Sequence, residues 1–145
     1  MVWNAGLVAL LSGLVAQAAK VFWEALRGRG WRPLLFFANG GMPSSHAATV
    51  TTLALLIRRD AGPASPQFSL ALVFGTFVLF EATGLRQEMG KQARLLNELR
   101  AALHAGRKLP GAPLRELVGH TWGEVAGGIL VGVLAYWGLG GLVRP

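Results

Sequence analysis

Cysteine is absent from the 145 residues, which excludes disulfides, thiolate nucleophiles and sulfur-ligated metal sites. Charge is scarce, at 14% of the chain against roughly 25% in an ordinary soluble domain. Acidic residues are scarcest, 7 against 14 Lys and Arg, with Asp60 the sole aspartate. Three histidines and so few carboxylates make a poor ligand set for a metal, and neither metal nor cofactor is expected. Apolar residues are abundant, at 52% with a mean hydropathy of +0.44. The net charge of +7 and isoelectric point near 11.4 would point to nucleic acid in a soluble protein. In so apolar a chain they point to membrane topology and a phosphate-bearing ligand, and no nucleic-acid partner is expected. The length suits one domain over residues 1–145. The expectation is an all-α polytopic membrane protein.

Four segments are apolar enough to form the bundle: Ala5–Trp23, Ser44–Ile57, Phe68–Leu85 and Gly119–Val143, giving about four spans. No Lys or Arg precedes Lys20, so the first lacks the basic region of a cleaved signal and reads as a retained span. The second is short, and the preceding PLLFFANGGM is expected to be a re-entrant stretch buried by protein. Leu85, Met89, Gln92, Leu96, Leu99 and Leu103 recur at spacings of four and three. That pattern predicts an amphipathic helix on the membrane surface or packed across the spans. It is expected to end near Gly106, with a loop at Pro110, Gly111 and Pro113.

Alternating crossings put Arg27, Arg29, Arg32, Arg86, Lys91, Arg94, Arg100, Arg107, Lys108 and Arg115 on one face, with only Arg58, Arg59 and Arg144 on the other. The positive-inside rule makes the first face cytoplasmic, in the cell (inner) membrane. Some of those cations are also candidates for substrate binding, and topology and chemistry then rest on the same residues.

Three constellations carry chemistry. Gly40-Gly41-Met42-Pro43-Ser44-Ser45-His46 opens an apolar helix. The glycines allow close backbone approach, Pro43 suits the first helical position, and the helix start offers N–H groups to an anion. Ser44 and Ser45 add hydroxyl donors, and His46 can donate a proton. The same residues also read as a glycine turn capping a span. In Gly119-His120-Thr121-Trp122-Gly123-Glu124, the spacing of four puts His120 and Glu124 on one helical face, where the carboxylate can orient the imidazole. Thr121-x-x-Glu124 is equally a capping box, and the two readings compete for one carboxylate. Glu81-Ala82-Thr83-Gly84-Leu85-Arg86-Gln87 sets a Glu in an apolar run beside an Arg able to hold phosphate oxygens. It reads equally as an interfacial ion pair, as Lys20 does as a snorkelling anchor. In the four-span topology Lys20, Arg32, His46, Arg86 and His120 fall near one face, a site for an anionic headgroup. Gly128 and Gly132 form a GxxxG that suits close helix packing and makes a homodimer reasonable.

The ordered set GGMPSSHAA, ATGLRQEMGKQARLLN and LVGHTWGEVAGGILVG resembles the divergent type 2 phosphatidic acid phosphatase family, also termed acid phosphatase/vanadium-dependent haloperoxidase-related. Lys20 with Arg32-Pro33, then Pro43-Ser44-Ser45-His46, then His120 through Gly132 are similar to the wider superfamily's three motifs. Ser45 stands where that pattern has Gly, Glu124 where it has Asp, and the gap from Lys20 to Arg32 is longer. The resemblance implies that His120 is the nucleophile, forming a phosphohistidine, that Glu124 orients it, and that His46 protonates the leaving alcohol. It implies phosphate binding by Lys20, Arg32, Ser44, Ser45 and Arg86, with Glu81, Gln87, Gln92 and Asn97 as supporting candidates. It also implies metal-independent hydrolysis of a lipid phosphate or diphosphate presented by the bilayer. Two other readings stand beside it: a non-catalytic binder of anionic lipid headgroups or assembly protein, and a basic face docking a cytoplasmic partner.

Overall fold

The computed structural model describes residues 4–38, 40–103, 113–114, 116 and 118–143. The expected helix end near Gly106, the loop at Pro110 and Gly111, and Arg107, Lys108, Arg115 and Arg144 lie outside the described residues. Among the described residues five α-helices follow one another: α1 (Ala5–Glu24), α2 (Ser45–Ala61), α3 (Pro66–Thr83), α4 (Leu85–Ala102) and α5 (Trp122–Leu139). Most helix starts are written locally. Asn4, Ser44, Ser65 and Thr121 each cap a helix by accepting a backbone N–H in the first turn, satisfying a donor that has no partner within the helix. Pro43 therefore precedes the cap of α2 and does not take the first helical position expected of it.

α2 is the centre of the bundle and packs on α1, α3 and α5. Small residues make that possible. α1 buries Val8, Ser12, Ala16 and Lys20 at intervals of four, with Gly13 alongside, and α2 buries Ala47, Ala48 and Thr52. A methyl group at Gly132 of α5 would lie 2.7 Å from the Ala48 carbonyl oxygen, and one at Gly128 would collide with the Ser44 carbonyl. Both GxxxG glycines are thus used in packing α5 on α2 within the chain. The Thr52 hydroxyl donates to the Gly132 carbonyl at 2.9 Å across the same contact. Gly132→Ala is expected to push α5 off α2 at a cost of roughly 1–3 kcal/mol. Gly138→Ala, with nothing within 4 Å of the added carbon, should leave thermal unfolding in detergent nearly unchanged.

Large apolar side chains face outward instead. Leu10, Leu70, Phe74, Phe77 and Leu134 are all exposed, the inverse of a soluble fold, and a bilayer is the solvent that suits them. Among the described residues three stretches are long and apolar enough to cross a membrane: Ala5–Arg29, Pro66–Ala102 and Trp122–Leu142. α2 does not join them on those criteria, because it is 17 residues long, carries Thr49 and Thr51 beside Thr52 and ends in Arg58-Arg59-Asp60. Of the four expected spans, three therefore meet the requirements of length and composition among the described residues, and α2 does not meet them by itself.

Two other expectations are modified. PLLFF forms a short 3₁₀ turn (Pro33–Phe37) that protein does not bury: Leu34 and Phe37 are exposed, since residues three apart eclipse in a 3₁₀ turn and share its outer side. The amphipathic helix forms as α4, set off from α3 by a non-helical Gly84. Its buried side is Gly90 and Ala93, while Leu85, Met89, Leu96 and Leu99 are exposed, a stripe that suits a bilayer surface.

Candidate active site

The end of α1, the start of α2, the end of α3 and the start of α5 meet at one end of the bundle, held by backbone contacts. Gly40 and Gly119 form a parallel bridge. The Ser44 N–H donates to the Glu124 carbonyl at 3.0 Å, and the His120 N–H to the Ala82 carbonyl at 2.9 Å. Gly119 has φ +86, and a Cβ there would lie 2.6 Å from the Gln87 nitrogen. Only glycine meets both demands, and the close approach brings His120 beside the α3–α4 junction that carries Arg86.

Two histidines sit at the centre. The rings of His46 and His120 are 5.8 Å apart between centroids, edge to face. His120 is 2% exposed, and its Nδ1 lies 3.2 Å from Glu124 Oε2. A carboxylate only accepts, so this contact puts the proton on Nδ1 and leaves a lone pair on Nε2. That Nε2 is buried and makes no hydrogen bond, and nor does the buried His46 Nδ1. Lys20, 1% exposed, donates from Nζ to the Ala38 carbonyl at 3.0 Å. Its charge bears on Glu124 as well as on His46. The Arg86 guanidinium also lies within electrostatic range of His46. Two cations and two imidazoles, one of them oriented by a carboxylate, thus converge, an arrangement that suits a phosphate. Among the described residues no group of three or more His, Asp or Glu is placed to hold a metal ion.

The model of the divergent PAP2 family matches residues 4–135. The chain belongs to that family. It is 34% identical over 143 residues, covering 90% of each chain, to a Bacillus subtilis (strain 168) protein named "Uncharacterized membrane protein YuiD". No solved structure matches it. This divergent PAP2 protein is a membrane protein built from helices, and its family suggests a phosphatase-related role.

Most residues singled out in the sequence come together here. Lys20 is not a snorkelling anchor, since its side chain is folded inside against Gly41. Ser44 is buried, and its Oγ accepts the Ala47 N–H at 3.3 Å, so its hydroxyl serves the cap of α2 while remaining able to donate. Ser45 lines a cavity with His46. Glu124 resolves the competition between capping and orienting by doing both. Its Oε2 accepts the Thr121 N–H at 3.0 Å while facing His120. His120 itself precedes the Thr121 cap and is not helical, so the pair meets through cap geometry rather than on one helical face.

Other candidates land elsewhere. Arg32 is exposed and lines a separate cavity with Trp31 and Leu34, so the structure does not bring its side chain to the cluster. Glu81 is half-exposed and pairs with Arg86 at 3.3 Å, placing the Arg while leaving it partly open. Gln87 contributes backbone against Gly119, and Gln92 is exposed. Asn97 is a staple: it donates to the Leu114 carbonyl at 2.9 Å and to Glu116 at 2.8 Å, and accepts the Leu114 N–H at 3.0 Å. Together with Gly90, which abuts the Glu116 and Val118 backbone, it ties α4 to the segment leading into His120.

One residue was missed. Gln17, one turn before Lys20, has a buried Oε1 without a hydrogen-bond partner and shares a cavity with His46. The signal was a lone amide in an otherwise apolar helix, three residues before its lysine.

Proposed function

We propose that this divergent PAP2 protein is a lipid phosphate or diphosphate phosphatase working through a phosphohistidine, without a metal. The observation that carries the reading is the His46–His120 pair, in which His120 Nε2 is free while Nδ1 faces Glu124. His120 Nε2 attacks phosphorus and the bond from phosphorus to the leaving oxygen breaks. His46 gives that oxygen a proton, and the N–P bond now holds the phosphoryl group. His46, now neutral, takes a proton from water as its oxygen attacks phosphorus. The N–P bond breaks, phosphate leaves, and His120 Nε2 recovers its lone pair. Lys20 and Arg86 neutralise the phosphoryl oxygens as charge develops. Ser44 and Ser45 add hydroxyl donors.

α2 completes a four-crossing bundle, its polar residues shielded by the neighbours packed around it. The site then lies on the face with most of the Lys and Arg, the cytoplasmic face of the cell membrane, where lipid headgroups are presented.

The test is phosphate release by purified protein from a panel of lipid monophosphates and diphosphates. Release should be unchanged in EDTA and suppressed by vanadate, which mimics the five-coordinate phosphoryl group. Activity that vanishes in EDTA and returns with a divalent cation would overturn the metal-free mechanism. Anionic-headgroup binding without release from any substrate would assign the pocket to a binding protein instead.

A further inference from the structure

α1 and α3 both pack on α2 with little or no contact between them, and between them runs a cleft of about 410 Å³. Gln17, Ser45 and His46 line it, and so do Leu10, Leu14 and Phe74. The last three are exposed to the surroundings of the bundle. α2 forms the floor, kept low where Gly13 meets Thr49 so closely that a methyl on Gly13 would collide with the Thr49 hydroxyl. One part of the cleft is therefore bordered by the polar residues Gln17, Ser45 and His46, and the rest is apolar.

We infer that this cleft holds the hydrocarbon of the leaving alcohol and takes a single alkyl or prenyl chain. The inference rests on the phosphatase reading and deepens it. If His46 protonates the leaving oxygen, that oxygen lies against His46, and the carbon bonded to it continues into the space His46 borders. The phosphoryl group stays on the side of Lys20, Arg86 and His120. The cleft is that space, and its change from polar to apolar matches an oxygen carrying a chain. Size argues for one chain: a methylene takes up about as much room as a water molecule, ~30 Å³, so about 410 Å³ suits on the order of a dozen carbons. Of two chains branching from a glycerol, the cleft would hold one and leave the other outside it. Leu14 and Phe74, on opposite walls, become the specificity-determining residues.

The test uses the full chain in nanodiscs of zwitterionic lipid, with a long-chain monoalkyl phosphate carrying a mid-chain diazirine as probe. Photolabel should map to the Leu10–Leu14 and Phe74–Val78 stretches and be displaced by unmodified monoalkyl phosphate. Leu14→Trp fills the cleft and should remove the label. It should also lower kcat/KM for long-chain over short-chain alkyl phosphate by at least about tenfold, since each methylene kept out of its apolar site weakens binding. Phe74→Ala widens the cleft and should raise relative turnover of double-chain lipid phosphates. Opposite shifts in the two variants cannot both come from misfolding. Label spread over all lipid-facing helices, label undisplaced by alkyl phosphate, or chain selectivity unaltered in both variants would overturn the inference, the first two marking ordinary bilayer lipid as the occupant. Displaceable label in the cleft without hydrolysis of any phosphate supports the single-chain site and overturns the phosphatase reading alone.

Discussion

His120→Ala is expected to reduce phosphate release by a factor on the order of 10⁴ or more, and to abolish transfer of radiolabelled phosphate from substrate to protein. The size follows from role: the substitution removes the atom that bonds to phosphorus, and the remaining cations can only position a phosphate. The His120 backbone N–H still bonds the Ala82 carbonyl, so the junction of α3 and α5 has no reason to open. The buried ring leaves a space of its own shape, and free imidazole should enter it and restore part of the turnover. Undiminished turnover in His120→Ala would refute the assigned nucleophile.

The second large effect is expected at Glu124, where one oxygen serves the helix cap and the imidazole. Glu124→Gln keeps an oxygen able to accept the Thr121 N–H, so the capping box survives, as Gln is tolerated at that position. It removes the negative charge that fixes the His120 tautomer and stabilises its positive form. Turnover should fall by on the order of 10²–10⁴ while thermal stability stays close to that of the native chain. Glu124→Ala should lose the same turnover and also about 1 kcal/mol of stability with the cap. The split separates the two roles: full turnover in Glu124→Gln would confine Glu124 to capping.

Local chemistry was legible in the sequence because it is written over a few residues. The capping box at Thr121 follows from residue type and spacing, as do the amphipathic pattern of α4 and the clustering of His46, His120, Lys20 and Arg86 near helix ends, whereas the start of α2 lies later than Pro43 suggested, at the Ser44 cap. The count of crossing helices was less legible. Ser44–Ile57 reads as a short span, but whether a helix rich in threonine can sit in a bilayer depends on what surrounds it, and its packing against three neighbours is not encoded within its own window. Arg32 was assigned by its place in a motif, yet the chain between Lys20 and Ser44 takes a path that leaves its side chain exposed.

By itself, the sequence determined that this is an apolar, helical, cysteine-free membrane protein with a histidine at the start of each of two helices and an excess of cations to meet an anion. Those properties depend on composition and on spacings within a helical turn. Tertiary structure decided that Glu124 is both cap and orienting group, and that the GxxxG glycines are used against α2. It also placed Gln17 beside His46 and opened a cleft between α1 and α3. The physical reason is common to all four. Each depends on how closely two helices distant in sequence approach, which small residues permit but only the packed bundle sets.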